Sequence, residues 1–205
     1  RVALAQRFYF EAQRVTLNEV PRSASSSDIL LAVEGWISDA WAVAGLVEQN
    51  LDSGKNERFN VAARYTPSPG RALSMSYRYT RQLVNPTGEG SEIKQIDLAA
   101  QWPVNPQWTL LGRYNYSIVD SKVLEALAGV EYNGDCWTLR AVLHRLATTV
   151  DQTNTSFFIQ LELNGLARVG TSPLDLLRRS VPGYVSATDP SLRQRDRSGD
   201  PLPEF

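Results

Sequence analysis

Apolar and polar side chains alternate along most of this chain of 205 residues, in segments that Gly, Pro, Asn, Asp and Ser interrupt. A period of two is typical of a β-strand, because successive side chains of a strand point to opposite faces. The segment 108–119 is the clearest case. Its apolar side carries Trp108, Leu110, Gly112, Tyr114, Tyr116 and Ile118. The pattern therefore predicts an all-β protein.

About ten segments of roughly ten residues show this alternation, and a tilted transmembrane strand needs that length. They lie at 1–10, 29–38, 40–51, 58–65, 73–80, 95–102, 108–119, 122–133, 136–146 and 154–166. We therefore predict that residues 1–167 form an antiparallel transmembrane β-barrel segment, part of a larger barrel. Residues 168–205 are predicted to be a C-terminal tail, with one or two helical turns at 173–179 and disorder over 188–205.

The connections between these segments alternate in length. Short turns are predicted at 38–39, 67–70, 105–106 and 133–134, and longer loops at 18–27, 52–56, 85–91 and 148–153. The short connection at 120–121 is an exception. Membrane barrels have short periplasmic turns and longer loops outside, and Asn133-Gly134 is a strong hairpin signal.

Aromatic residues collect near the short turns. All five tryptophans lie within a few residues of one, as do Tyr65 and Tyr132. The tryptophans are Trp36, Trp41, Trp102, Trp108 and Trp137. Rings gathered at one end of the strands suit the aromatic girdle of a membrane interface. The alternative is a soluble barrel whose ends are closed by aromatic rings.

The apolar side contains many small residues, such as Ala63, Ala100 and Gly112, which pack a soluble core poorly but are acceptable against lipid. We therefore predict that the polar side lines a wet lumen. The residues expected there are Arg58, Arg64, Arg78, Asp97, Arg113, Asn115, Glu125, Glu131, Arg140, His144, Gln160 and Glu162. Two interpretations of the arginines stay open: they guide anionic sugars or phosphates, or they pair with lumen carboxylates.

Composition narrows the class further. Lys and Arg number 21 against 22 Asp and Glu, and this balance argues against a nucleic-acid-binding protein, which usually has a basic stripe. No stretch approaches the ~20 apolar residues of a transmembrane helix. The chain begins at Arg1 inside a predicted strand, so we expect a targeting signal and further strands upstream.

The sequence predicts no catalytic site, metal site or cofactor. His144 is the only histidine, and no Ser, Asp or Glu accompanies it at a suggestive spacing, so we expect a polar lumen side chain. One His and one Cys do not make a metal site. Glu125 and Glu131 share a face but are six residues apart, which is roughly 20 Å along a strand and too far for an acid–base pair.

A series of motifs along the chain resembles the C-terminal part of the LPS-assembly protein LptD family (organic solvent tolerance protein). The motifs are QRFYF at 6–10, QIDLAAQWP at 95–103, GRYNYS at 112–117, GVEY at 129–132, CWTLR at 136–140, FIQLELNGL at 158–166, PLDLL at 173–177 and VPGY at 181–184. The resemblance covers nearly the whole chain up to Tyr184. It implies a very large barrel that inserts lipopolysaccharide into the outer leaflet of the Gram-negative outer membrane.

The resemblance also implies partners and roles for particular residues. It implies a lipoprotein plug, LptE, in the lumen, periplasmic lipopolysaccharide bridge proteins, and a disulfide from Cys136 to an N-terminal domain outside this sequence. The alternative for Cys136 is a buried, reduced thiol. Family members often have two adjacent cysteines here, whereas this chain has Asp135 beside Cys136. The family's lateral gate implies that the segment 154–166 forms one side of the opening. Its expected gate residues are Phe157, Ile159, Leu161, Leu163 and Gly165.

Two other functions are weighed against this one. The first is a different outer-membrane barrel, such as a porin or a barrel enzyme. The second is a soluble β-barrel that binds small hydrophobic ligands. The three hypotheses differ in whether the apolar face contacts lipid or a protein core, and in the sequence expected before Arg1.

Overall fold

The computed structural model describes residues 1–10, 26–51, 54–81, 92–134, 136–148, 152–163 and 166–188. Within these ranges lie eleven β-strands and one short helix. The strands are β1 (Val2–Ala5), β2 (Ile29–Ser38), β3 (Trp41–Gln49), β4 (Asn56–Ser68), β5 (Arg71–Arg81), β6 (Glu92–Pro103), β7 (Trp108–Ser117), β8 (Lys122–Asn133), β9 (Trp137–Ala147), β10 (Thr153–Leu163) and β11 (Ala167–Gly170). The helix is α1 (Leu174–Ser180).

The strands form a single sheet in which each pairs antiparallel with the next in sequence, in the order β1 to β11. Such a meander needs only hairpin connections between neighbouring strands. The predicted fold class, an all-β antiparallel segment of the barrel type, is confirmed. No helix in the described ranges is long and apolar enough to cross a membrane.

The two faces of the sheet stay in phase from strand to strand. Val61 pairs with Tyr77, and Met75 pairs with Leu98, so apolar side chains meet apolar side chains across the ladder. We call this side the apolar face and the opposite side the polar face. Large side chains of the apolar face are exposed, for example Met75 at 55% and Phe157 at 63%. A soluble sheet hides such a face, because apolar area in water is unfavourable by roughly 25 cal/mol per Å².

The predicted short turns are confirmed. Gly70 in the turn between β4 and β5 has φ 76°, a conformation that glycine adopts without a steric penalty. The Asn105 side chain accepts hydrogen bonds from the backbone N–H groups of Gln107 and Trp108 at 2.9 and 2.8 Å. Asn133-Gly134 lies where β8 turns into β9. The predicted longer loops fall largely on residues 11–25, 52–53, 82–91 and 149–151, outside the described residues.

Both ends of the sheet differ from the sequence pattern. The predicted strand 1–10 is only β1, followed by an isolated bridge between Phe8 and Ser26. At the other end β10 stops at Leu163, and β11 adds a strand that pairs with the last four residues of β10. The sequence did not predict β11, because four residues are too few for an alternation of period two to be recognised.

The chain after β11 lies against the polar face. We call residues 171–188 the strap; it contains α1 and an irregular segment that follows it. The helical turns predicted at 173–179 are confirmed as α1. Of the segment predicted to be disordered, only Thr188 is among the described residues, and 189–205 lie outside them.

Candidate functional site

A buried arginine holds three strands and the strap together. The guanidinium of Arg140 on β9 donates from Nε to Glu131 Oε2 on β8 at 2.9 Å, and from Nη1 to Glu162 Oε2 on β10 at 2.6 Å. The same Nη1 donates to Gln160 Oε1 at 3.2 Å. These residues meet because Arg140 is directly opposite Glu131 in one ladder and Gln160 in the other. We call this set the Arg140 cluster.

The strap completes the Arg140 cluster. Arg140 Nη2 donates to Ser186 Oγ at 2.6 Å and to Thr188 Oγ1 at 3.3 Å. Glu131 accepts from the Tyr184 hydroxyl at 2.9 Å and from the Ala187 backbone N–H at 2.6 Å. Every guanidinium nitrogen of Arg140 therefore has an acceptor, as a buried charge requires. Burial, and next the neighbouring carboxylate of Glu131, raise the pKa of Tyr184 well above its ordinary value.

An apolar patch on the polar face receives α1. Leu111, Leu127 and Val142, from three consecutive strands, form a buried cluster with Leu177 of α1. Gly129 lies between them, and a Cβ there would come within 3.1 Å of Val142 Cγ2. The glycine therefore permits the close packing of this patch. The contact fixes the helix on the sheet by burying apolar area.

The strap also reaches the strands before β7. Gln101 of β6 donates from Nε2 to the Val185 carbonyl at 2.7 Å and accepts from the Val185 backbone N–H at 2.9 Å. Gly183, with φ 82°, lies against β4 and β5: a Cβ there would be 3.4 Å from Arg64 Cδ and 3.5 Å from Ala72 Cβ. The strap thus contacts strands from β4 to β10 on one face.

A second arginine cluster lies beside the strap. Arg113 of β7 pairs with Asp97 of β6 at 2.6 Å and with Glu125 of β8 at 3.1 Å. Asn115 donates to Asp97 at 3.1 Å. His144 Nε2 lies 2.9 Å from Glu125 Oε1. We call this set the Arg113 cluster; it is half-buried rather than enclosed.

His144 has an acidic neighbour that the sequence did not suggest. Glu125 reaches it because Leu127, two residues farther along β8, is the residue directly opposite His144. The Ser180 hydroxyl also donates to Glu125, at 3.4 Å. A nucleophilic serine must reach its substrate, whereas Ser180 is buried at 1% exposure. The arrangement is that of a structural contact between α1 and the sheet.

Three further predicted lumen residues, Arg58, Arg64 and Arg78, lie on the polar face. Arg58 is 3.7 Å from Glu48. Arg64 is 3% exposed, close to Gly183 of the strap. Arg78 is exposed, opposite Asn60 and Gln95. Of the arginines expected on this face, Arg58, Arg113 and Arg140 therefore pair with carboxylates.

The predicted gate residues and cysteine lie elsewhere. Phe157, Ile159, Leu161 and Leu163 are exposed along the apolar face of β10, and Gly165 is outside the described residues. Beyond the four residues that pair with β11, the described chain places no strand along the outer edge of β10. Cys136 is an exposed free thiol in the turn between β8 and β9.

Aromatic rings cluster at the short-turn end of the sheet. Trp41 and Tyr65 have ring centroids 4.8 Å apart, and so do Trp108 and Tyr132. Trp137 lies 5.1 Å from Tyr132. Except for Trp36, the tryptophans are partly exposed on the apolar face, which fits rings that meet both an apolar and a polar phase. Trp36 lies on the polar face, where Arg64 Cζ is 5.8 Å from the centroid of its ring.

The docking of the strap on the apolar patch was not predicted, although the sequence contains a pattern that indicates it. Leu111, Leu127, Val142 and Phe158 each interrupt the polar side of a predicted strand. Val142 and Phe158 are directly opposite each other, and Gly129 is opposite both Leu111 and Val142. Apolar interruptions that line up across four strands predict a docking position for an apolar helix face. Among the described residues no group of three or more His, Cys, Asp or Glu is arranged to hold a metal.

An antiparallel meander with an exposed apolar face and a charged opposite face is a wall of the β-barrel class. Residues 1–108 match the family model described as LptD, LPS transport system D, and the chain belongs to the LptD family. It is 46% identical over 90% of its length to the LPS-assembly protein LptD of Thiobacillus denitrificans, and 41% identical over 95% to that of Azoarcus sp.. The chain spans only 24% of the length of each of these relatives.

Proposed function

We propose that this chain is the C-terminal wall of an outer-membrane translocon that inserts lipopolysaccharide into the outer leaflet. One observation carries the proposal. From β2 to β10, exposed apolar side chains lie on one face, and the ion pairs of the described strands lie on the other, except Glu92–Lys94 at the loop end of β6. A membrane barrel needs this arrangement, with lipid against the first face and water within the second.

The substrate has the same two-sided character as the wall. Lipopolysaccharide combines acyl chains with charged sugars, and a charged group in hydrocarbon is costly. A polar face lets the sugars pass beside water and hydrogen-bonding groups. The acyl chains leave sideways into the bilayer. The names of the relatives, LPS-assembly protein LptD, support this substrate.

The edge of the sheet at β10 and β11 is the proposed side of the lateral opening. β11 pairs with only Gln160–Leu163 of β10, so most of β10 is free to pair with another strand of a complete barrel. Unsatisfied backbone groups cost several kcal/mol each in hydrocarbon. A seam with few ladder bonds therefore opens more readily than one with many. In this proposal Phe157, Ile159, Leu161, Leu163 and Gly165 belong to the gate strand.

Cys136 and the lumen supply the proposed contacts with partners. The exposed thiol of Cys136 is proposed to form a disulfide with a periplasmic N-terminal domain. A lipoprotein plug, LptE, is proposed to occupy the lumen of the complete barrel, and periplasmic bridge proteins to deliver the lipid. The short-turn position of Cys136 supports this assignment, because short turns of membrane barrels face the periplasm.

Lipid contact at the apolar face tests the proposal directly. We expect spin labels at Leu110, Tyr114, Leu139 and Ile159 of the full-length protein in bilayers to be relaxed by lipid-soluble oxygen. A label at Arg78, exposed on the polar face, is the control and should respond to a water-soluble nickel chelate. Apolar-face labels that respond only to the chelate would exclude a membrane wall.

Depletion of the full-length protein tests the substrate. We expect surface lipopolysaccharide to fall and newly made lipopolysaccharide to accumulate in the inner membrane. Depletion of an unrelated outer-membrane barrel is the control for general envelope damage. Normal surface lipopolysaccharide after complete depletion would contradict the proposed transport function even if the labels report lipid.

A further inference from the structure

The strap presents a basic surface of its own. Leu174, Leu177 and Ser180 of α1 are buried against the sheet. The other side of the helix carries Asp175, Arg178 and Arg179, whose side chains are exposed. Because the strap is anchored through Leu177, Gln101 and the Arg140 cluster, this exposed side is held at a fixed place over the polar face.

These two arginines differ from Arg113, Arg140 and Arg168 of the strands. Arg113, Arg140 and Arg168 each lie within 3.1 Å of a carboxylate oxygen. Within the described ranges, neither Arg178 nor Arg179 has a carboxylate within salt-bridge distance. Adjacent positive charges repel each other, and a guanidinium binds phosphate through two parallel hydrogen bonds. The pair therefore offers two donor groups that no carboxylate of the described residues uses.

A structural role for the pair is weaker than a binding role. Cations in the last turn of a helix interact favourably with its free carbonyl groups. This interaction with the helix end is small at exposed positions, where water and salt screen it, and one arginine would be enough to provide it. The last turn is moreover closed by a backbone bond from Val181 N to Leu177 O at 2.9 Å. The contacts of the sheet with Leu177 and Tyr184 fix the strap without either arginine.

We propose that Arg178 and Arg179 bind the phosphate groups of lipopolysaccharide as its headgroup moves along the polar face. The inference rests on the proposed transport function and adds a specific anion-binding position to it. A phosphate monoester carries about −1.5 to −2 charges at pH 7. Two guanidinium groups match that charge. The acidic groups of the nearby Arg113 and Arg140 clusters are already paired, so they repel the phosphate less than free carboxylates would.

The test compares lipopolysaccharide with and without its phosphates. The full-length protein in detergent is titrated with purified lipopolysaccharide and with a phosphatase-treated preparation. For the double variant Arg178→Gln, Arg179→Gln we expect the affinity for the phosphorylated preparation to fall about three- to tenfold, from two partly solvated contacts. Affinity for the treated preparation should not change. Arg145→Gln, an exposed arginine on the apolar face of β9, is the matched control.

Two further measurements keep the outcome decisive. A benzophenone amino acid at position 175, one turn away on the same exposed side, should crosslink the phosphorylated preparation only, with both arginines intact. An excess of short-chain phosphatidylglycerol should not displace lipopolysaccharide, because the proposal concerns phosphate monoesters rather than a phospholipid diester.

The proposal is overturned if the double variant binds both preparations like the wild type, or loses both equally. The proposal is also overturned if phosphatidylglycerol displaces lipopolysaccharide, or if position 175 crosslinks both lipopolysaccharide preparations equally. A wild-type protein that binds neither preparation would instead contradict the proposed transport function. The two failures are therefore distinguishable.

Discussion

The Arg140 and Arg113 clusters are built alike but have different surroundings. Each is an arginine placed between two carboxylates from neighbouring strands. In the first, the side chains of Arg140, Glu131 and Glu162 are 0%, 1% and 8% exposed. In the second, Arg113, Asp97 and Glu125 are 20%, 22% and 16% exposed. The difference is the strap, which covers the first and only touches the edge of the second.

Burial by the strap therefore sets how much each cluster contributes to stability. A pair that keeps contact with water is worth about 0–1 kcal/mol. A buried pair does not stabilise much as a unit, but removing one partner leaves an uncompensated charge at a cost of about 3–5 kcal/mol. We therefore expect the Arg140 cluster to fix the strap on the sheet. The Arg113 cluster should remain a partly hydrated part of the polar face.

The largest effect is expected from Arg140→Met in the full-length protein. The substitution leaves Glu131 buried without a cation and Glu162 with only the exposed Arg168, and it should lower the free energy of unfolding by about 3–5 kcal/mol. Urea titration of the refolded protein in detergent measures it, and limited proteolysis should show early cleavage within the strap.

Arg145→Met, on the same strand but exposed, is the control for loss of an arginine and should change the urea midpoint little. If Arg140→Met unfolds at the same midpoint as this control, then the buried cluster does not hold the strap. The comparison between the two clusters would then lose its physical basis.

The sequence predicted the sheet far better than it predicted the strap. Alternation is a local property, so the strand pairs β2 to β10 and the faces of residues such as Arg113 and Tyr114 follow from neighbouring residues alone. The short turns follow from Gly70 and from Asn133-Gly134 for the same reason. The strand β11 has only four residues, too few for an alternation of apolar and polar residues to be recognised.

Docking of the strap is not a local property. Gln101 and Val185 are far apart in sequence, and Arg140 meets Ser186 only because the strap folds back over the sheet. Nothing in the composition of residues 171–188 marks them as a covering segment. The signal lay instead in the receiving surface, where Leu111, Leu127 and Val142 interrupt a polar side in three neighbouring strands.

A smaller effect is expected from Tyr184→Phe, which removes one hydroxyl from the buried edge of the Arg140 cluster. Glu131 keeps its bonds to Arg140 and to the Ala187 backbone, so the loss should be about 1–2 kcal/mol at pH 8. Hydrogen exchange of the strap amides measures it. Gln107→Ala, in an exposed turn, is the control.

The pH dependence of the same variant gives a second readout. Because burial and Glu131 raise the pKa of Tyr184 in the folded protein, its contribution is fully present below the unfolded pKa of about 10 and is lost as the pH rises above that value. The wild-type advantage over Tyr184→Phe should therefore shrink between about pH 10 and pH 11. A constant advantage over this range would contradict the buried, neutral hydroxyl.

The smallest effect is expected from Arg113→Gln, and it compares the two clusters with the same substitution. The side chain keeps a hydrogen-bonding amide near Asp97, and water reaches both carboxylates, so the free energy of unfolding should fall by less than about 1 kcal/mol. Adding salt should narrow this difference only slightly, because partly buried charges are screened much less than exposed ones. Arg140→Gln, measured in parallel, should stay strongly destabilised at every salt concentration. Equal losses in the two glutamine variants would mean that the strap does not exclude water from Arg140, and the two clusters would then be one continuous wet surface.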